Sequence, residues 1–147
     1  MIQETLSDKP LAEVDIFAEA PLRHTESPAK VRDALTKILG PQGSVTVESD
    51  RITYSSNDVE SLRFIKDQFR DRRVRAAARR ILLANSTEIE TRLLLNKQAA
   101  TVGIAALCDD PSESALGPII LRIRSSNLKK IIEWLTYGFE GKEAATS

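Results

Sequence analysis

The chain has 147 residues, 41% of them hydrophobic and 29% charged, and its 21 basic and 21 acidic side chains cancel to a formal charge of zero. That length can bury a core as one domain, and no apolar run approaches the roughly 20 residues a membrane-spanning helix needs. A lone cysteine, Cys108, excludes an internal disulfide, and with a lone histidine, His24, it excludes a zinc site of the usual nitrogen and sulfur type.

Residues 1–10 are polar, lack the basic and apolar regions of a secretory signal, and read as a flexible leader. Val14, Ile16, Ala18 and Ala20 then alternate with Asp15, Phe17 and Glu19, a period of two that predicts a half-buried strand. Ser27 and Pro28 open a helix as N-cap and first helical residue. Its apolar stripe is Val31, Ala34, Leu35, Ile38 and Leu39, and Gly40-Pro41 stops it. Val45–Val47 and Ile52–Tyr54 flank a polar turn at Ser49-Asp50, which predicts a hairpin.

Asn57 or Asp58 caps a second helix whose inner face is Val59, Leu62, Ile65 and Phe69. A further helix is predicted over Arg72–Leu83 with Val74, Ala77, Ala78 and Ile81 inside, ended by Asn85-Ser86. Three strands follow, at Glu88–Leu95, Thr101–Leu107 and Pro118–Arg124, with an acidic turn over Asp109–Ser114 between the last two. A final helix covers about Asn127–Tyr137 with Leu128, Ile131, Ile132 and Leu135 inside, and residues 139–147 read as a frayed tail. Ser55-Ser56-Asn57 and Ser125-Ser126-Asn127 each join a strand to a helix, a faint echo of two similar halves.

Hairpins outnumber crossovers and no Gly-rich phosphate loop is present. The expected architecture over residues 11–138 is therefore a single α+β domain, a largely antiparallel sheet with helices packed on one face. Asp15, Glu19, Glu88, Glu90, Arg92, Arg122 and Arg124 are assigned to the other, polar face. Phe17 and Tyr54 are the only strand aromatics, too few for a base-stacking platform of the RRM kind.

Charge is unevenly placed. Between Arg63 and Arg80 stand eight basic residues and two acids, Asp67 and Asp71. At about 100° per residue, Arg72, Arg73, Arg75, Arg79 and Arg80 spread over the half of the helix opposite its apolar side. Guanidinium forks match phosphate oxygens in pairs and stack on unpaired bases, so this ridge is a candidate phosphate or nucleic-acid contact. The plainer alternative is a solvated face paired with acids elsewhere. Asn96-Lys97-Gln98-Ala99-Ala100, between two strands, is a second candidate, with amides, a point charge and small residues that admit a ligand. Its plain alternative is an ordinary polar connection. No serine or cysteine pairs with His24 to suggest nucleophilic catalysis, and isolated acid pairs make a poor metal site, so neither catalysis nor a cofactor is expected.

Leu95-Asn96-Lys97-Gln98-Ala99-Ala100, followed by a strand and then Leu116-Gly117-Pro118-Ile119, resembles an uncharacterised archaeal family regarded as RNA-binding. Ala18-Glu19-Ala20, Glu26-Ser27-Pro28-Ala29-Lys30-Val31 and the arginine-rich helix before Asn85 agree in order, so the resemblance spans about residues 11–137. It implies a fold like that of the large-subunit ribosomal protein five and RNA as ligand, and it marks Asn96, Lys97, Gln98, Gly117 and Pro118. The acidic turn from Cys108 to Ser114 departs from the family pattern.

The combined expectation is a cytoplasmic RNA-binding protein without catalytic activity or membrane association. Arg72, Arg73, Arg75, Arg79 and Arg80 would contact phosphate, with Asn96, Lys97 and Gln98 as a closer polar site. The alternative is an interaction or scaffold module, a homodimer or the partner of an acidic protein.

Overall fold

A computed structural model describes residues 12–136. The expected leader over 1–10 and tail over 139–147 lie outside them. The first strand, β1 (Asp15–Pro21), buries Ile16, Ala18 and Ala20 and turns Asp15 and Phe17 outward, as its alternation dictates. Helix α1 (Pro28–Leu39) starts at Ser27, whose Oγ accepts the Lys30 N–H, and ends at Gly40 in the left-handed region at φ 83°. All five predicted stripe residues of α1 are buried.

Strands β2 (Ser44–Val47) and β3 (Arg51–Ser56) form the predicted hairpin. Tyr54 points from β3 toward the helices, fully buried, and its hydroxyl receives the Gly43 N–H at 3.0 Å and lies 2.8 Å from the Leu39 carbonyl. One side chain thereby fastens the end of α1 to the hairpin. Asp58, the second of the two candidate caps, accepts the Glu60 N–H and opens a 3-10 turn, Val59–Leu62, that runs into α2 (Arg63–Asp71).

The predicted Arg72–Leu83 helix begins later. Helix α3 spans Arg75–Ala84, and the chain turns sharply between α2 and α3. At that turn the Val74 N–H donates to the Phe69 carbonyl and the Arg73 N–H to the Arg70 carbonyl, with Arg73 at φ 60°. This is a Schellman ending with arginine where glycine is usual. The buried residues of α3 are Ala78 and Leu82, while Val74 and Ile81 pack at the edge of the core.

Strand β4 (Glu90–Leu95) excludes Glu88, because Thr87 Oγ1 accepts the Ile89 and Glu90 N–H groups and curls the approach. The segment after β4 differs most from expectation. Asn96 Oδ1 accepts the Ala99 N–H at 2.8 Å and starts a short helix, α4 (Lys97–Thr101), and Gly103 at φ 78° turns the chain away. The predicted Thr101–Leu107 strand shrinks to β5 (Leu107–Cys108). A second 3-10 turn, Pro111–Glu113, follows, capped by Asp110, and then come β6 (Ile119–Arg124) and α5 (Leu128–Thr136).

The six strands form one sheet in the order β2-β3-β1-β6-β4-β5, every neighbouring pair antiparallel. Inward residues of the strands, among them Ile16, Ile52, Leu93, Leu121 and Ile123, meet Leu35, Ile38, Leu62, Phe69, Ile131 and Leu135 of the helices in one core. The architecture is α+β with the helices on one face of an antiparallel sheet, as predicted. The serine turns that follow β3 and β6 are alike, with Ser56 Oγ accepting the Asp58 N–H and Ser125 Oγ the Asn127 N–H. The sequence echo aligns Ser56 with Ser126 instead, so it stands one position out of register with these turns.

Candidate nucleic-acid interface

The basic segment divides once its partners are known. Arg63 is paired with Glu60 at 3.0 Å and lies 5.3 Å from the centre of the Trp134 ring. Lys66 is buried, with its ammonium 5.7 Å from the same ring. Arg70 contacts Asp71 at 3.1 Å and Asp67 at 3.7 Å, which accounts for both acids of the segment. Arg75 and Arg79 are half-buried on α3.

Arg72, Arg73 and Arg80 remain. They are exposed and form no ion pair among the described residues. The expected five-arginine helical ridge is therefore a turn carrying Arg72 and Arg73, with Arg80 further along α3. Helix α3 carries no acid in its first turn, and its N-cap residue, Val74, supplies no side-chain hydrogen bond. Arg72 and Arg73 thus precede the positive end of a helix dipole that no acid of its own first turn offsets.

Lys97 overturns the expectation attached to it. Its side chain is 1% exposed, and Nζ donates to the Pro21 carbonyl at 2.6 Å, Glu26 Oε1 at 2.8 Å and the Leu116 carbonyl at 2.8 Å. An ammonium has three donors, and all three are used. Burial pushes the Lys97 pKa below its ordinary value, with the Glu26 carboxylate opposing the shift. Lys97 holds the fold together and has no donor left for phosphate.

Its neighbours act alike. Asn96 caps α4 and its Nδ2 reaches the Glu113 carbonyl. Gln98 is exposed, with Oε1 3.1 Å from Ser114 Oγ, which also accepts the Lys97 backbone N–H and lies 2.9 Å from the Gly117 carbonyl. Gly117 sits at φ 93°, and a Cβ there would come within 2.5 Å of Pro21 Cγ. The two distant motif segments, Asn96–Gln98 and Leu116–Pro118, are thus two sides of one hydrogen-bonded knot. The acidic turn belongs to it too: Glu113 accepts the Asp109 N–H and Asp110 the Ser112 N–H, so two of its carboxylates serve as local acceptors.

A UPF0201 protein from Methanothermobacter thermautotrophicus is 36% identical over 120 residues, covering 82% of this chain and 89% of its own. The chain belongs to the UPF0201 family. A UPF0201 protein from Sulfurisphaera tokodaii is 32% identical, covering 82% of this chain and 86% of its own, so the relationship extends across archaea. The crystal structure of the UPF0201 protein from Methanococcus jannaschii superposes with a TM-score of 0.71 at 28% identity, over 83% of this chain and 92% of that one. A DUF54 protein from Archaeglobus fulgidus, 16% identical with a TM-score of 0.64 over 82% of this chain and 93% of that one, shares the fold. No family model matches the chain.

In this UPF0201 chain strand register joins residues that the sequence assigns to the sheet face away from the helices. Phe17, 38% exposed, stands in register with Arg122, and Arg122 with Arg92. Two like charges directly opposite on adjacent strands are unfavourable, so such a pair is conspicuous. Glu19 reaches Arg122 only at 4.0 Å, and Arg92 has no ion pair among the described residues. The available signal was the alternation that set Phe17, Arg92 and Arg122 outward; what joined them was strand register. Among the described residues no group of His, Cys, Asp and Glu converges as a metal site, and no helix is long and apolar enough to cross a membrane.

Proposed function

We propose that the protein binds RNA through the exposed arginines at the α2–α3 turn. One observation carries this reading: among the described residues Arg72 and Arg73 have no ion-pair partner, and they stand on a turn that holds Arg73 at φ 60°. A side chain in that region costs about 1 kcal/mol that glycine would avoid. Non-glycine residues held in such conformations cluster at ligand-binding and switch sites. Upstream, Arg63 and Arg70 are matched with acids, while Arg72, Arg73 and Arg80 are left to solvent. Phosphate is the ligand chemistry that forked, unneutralised guanidinium groups suit best.

The likeness to the large-subunit ribosomal protein five belongs to the same proposal. It rests on the motif resemblance together with an antiparallel sheet layered by helices on one side, and fold analogy by itself argues function weakly. Lys97 and Asn96 are left out of the contact set, because their polar groups are spent inside the fold.

Fluorescence anisotropy of labelled RNA over a salt series tests the proposal. Binding that weakens steeply with salt and falls on replacing Arg72, Arg73 and Arg80 by glutamine supports it. No binding at low salt, or binding indifferent to those three substitutions, overturns it. Light scattering on the same samples separates the scaffold alternative: a tight dimer broken by the triple substitution would assign the turn to a protein interface.

A further inference from the structure

The open sheet face presents a row that runs Ser55, Phe17, Arg122, Arg92 across strands β3, β1, β6 and β4. Adjacent strands lie about 4.8 Å apart, so these side chains emerge at about that interval. Phe17 stands 38% exposed between Asp15 and Glu19, the outward residues on either side of it in β1. Beside it Arg122 and Arg92 stand directly opposite each other on neighbouring strands, an unfavourable pairing of like charges. An anion between them removes that cost.

We infer that this row binds a nucleotide of single-stranded RNA, with an unpaired base stacked on Phe17 and its phosphate held by Arg122 and Arg92. The inference rests on the RNA-binding reading above, but it uses the opposite face of the protein and names single strands as the substrate class. Stacking on an aromatic beside cationic groups is how unpaired bases are gripped, and it needs bases that a duplex conceals. The acids on this face stand beside the row, and of them Glu19 reaches Arg122 at 4.0 Å while it also pairs with Arg51 at 3.6 Å. Asp15 and Glu90 lie in register with Arg124, and Glu19 with Ile120. With two arginines against one carboxylate that is shared with Arg51, the charge along Phe17, Arg122 and Arg92 stays positive, as a phosphate requires.

The test compares a fluorescein-labelled oligouridine of about ten nucleotides with an RNA duplex of similar length, both by anisotropy. Phe17→Leu keeps the apolar bulk and removes the ring; Phe17→Tyr keeps the ring. We expect Phe17→Leu to weaken oligouridine binding roughly tenfold, Phe17→Tyr to retain it, and both to bind duplex as the parent does. Arg92→Gln combined with Arg122→Gln should weaken oligouridine binding as well, while melting no lower than the parent because the like-charge pair is gone. Equal oligouridine binding by Phe17→Leu and the parent overturns the inference. So does a parent dimer, seen by light scattering, that Phe17→Leu dissociates, since the face would then belong to a second copy. If duplex binding persists and depends on Arg72, Arg73 and Arg80 while the sheet variants have no effect, only this inference falls. If the parent binds neither RNA, both readings fall.

Discussion

Lys97 Nζ donates to Glu26 Oε1 across 2.8 Å, joining the residue ahead of the α1 cap to the first residue of α4. The lysine side chain is 1% exposed and the glutamate side chain 11%. Glu26 Oε1 also accepts the Arg23 N–H, so the carboxylate holds its own loop while it receives the lysine. Removing one member of a buried pair leaves the other charge unmatched, a loss of about 3 kcal/mol. Lys97→Ala should therefore lower the unfolding free energy in urea by about that amount, and the folded fraction should bind RNA as the parent does. A large loss of affinity in folded Lys97→Ala would return this residue to the contact set.

The same lysine predicts a pH dependence with a definite sign. Burial lowers its folded pKa below the ordinary 10.5. At pH values below the folded pKa both states hold the proton and the group adds no slope. Between the folded value and 10.5 the unfolded chain holds more protons than the folded one, so stability contributed by Lys97 rises with pH. Subtracting the pH profile of Lys97→Met from that of the parent, by urea denaturation between neutral and alkaline pH, should show this positive slope. A difference that falls with pH would mean that the Glu26 ion pair outweighs burial.

Gly117→Ala tests the other side of the knot. The substitution must hold a Cβ at φ 93° and within 2.5 Å of Pro21 Cγ. Backbone strain of this kind costs about 1–3 kcal/mol, and the ring contact adds to it. Thermal melting should show a clear drop, larger than that of Gly103→Ala, where no atom lies within 4 Å of the added Cβ.

Arg73→Gly should separate stability from binding. Glycine adopts φ 60° without the Cβ penalty, so the protein should gain about 1 kcal/mol while RNA affinity falls with the lost charge. A variant that is more stable and binds RNA unchanged would show that the turn is a structural feature alone.

Salt dependence counts the contacts. If Arg72, Arg73 and Arg80 each meet an RNA phosphate, replacing all three by glutamine should flatten the log-log salt slope by about 2 to 3. An unchanged slope with weaker binding would assign the arginines to another role.

Several elements were legible because their signals are local. The alternation in β1, the Ser27-Pro28 start and Gly40 stop of α1, and the apolar spacing of α5 each arise from residues near in sequence, and each element forms within a residue or two of its expected limits. The break between α2 and α3 was not legible, because Arg73 occupies the left-handed position where glycine or asparagine would have marked it. Helix α4 was missed because five residues are too few to show a helical period, and Asn96 gave the only cue. Among the candidate site residues, exposure of Arg72, Arg73 and Arg80 agrees with expectation, whereas Lys97 lies inside.

The eight basic residues between Arg63 and Arg80, and the α+β pattern around them, were determined by the sequence alone, since charge and periodicity are properties of neighbouring residues. Which of those charges remain available was decided by tertiary structure. Trp134 reaches Arg63 and Lys66 from the last helix, and the Schellman turn turns Arg72 and Arg73 outward. Lys97 and Phe17 exchanged roles for the same reason. The three acceptors of the lysine come from Pro21, Glu26 and Leu116, and the arginine neighbours of the phenylalanine come from β6 and β4, partners that only the closing of the sheet brings within reach.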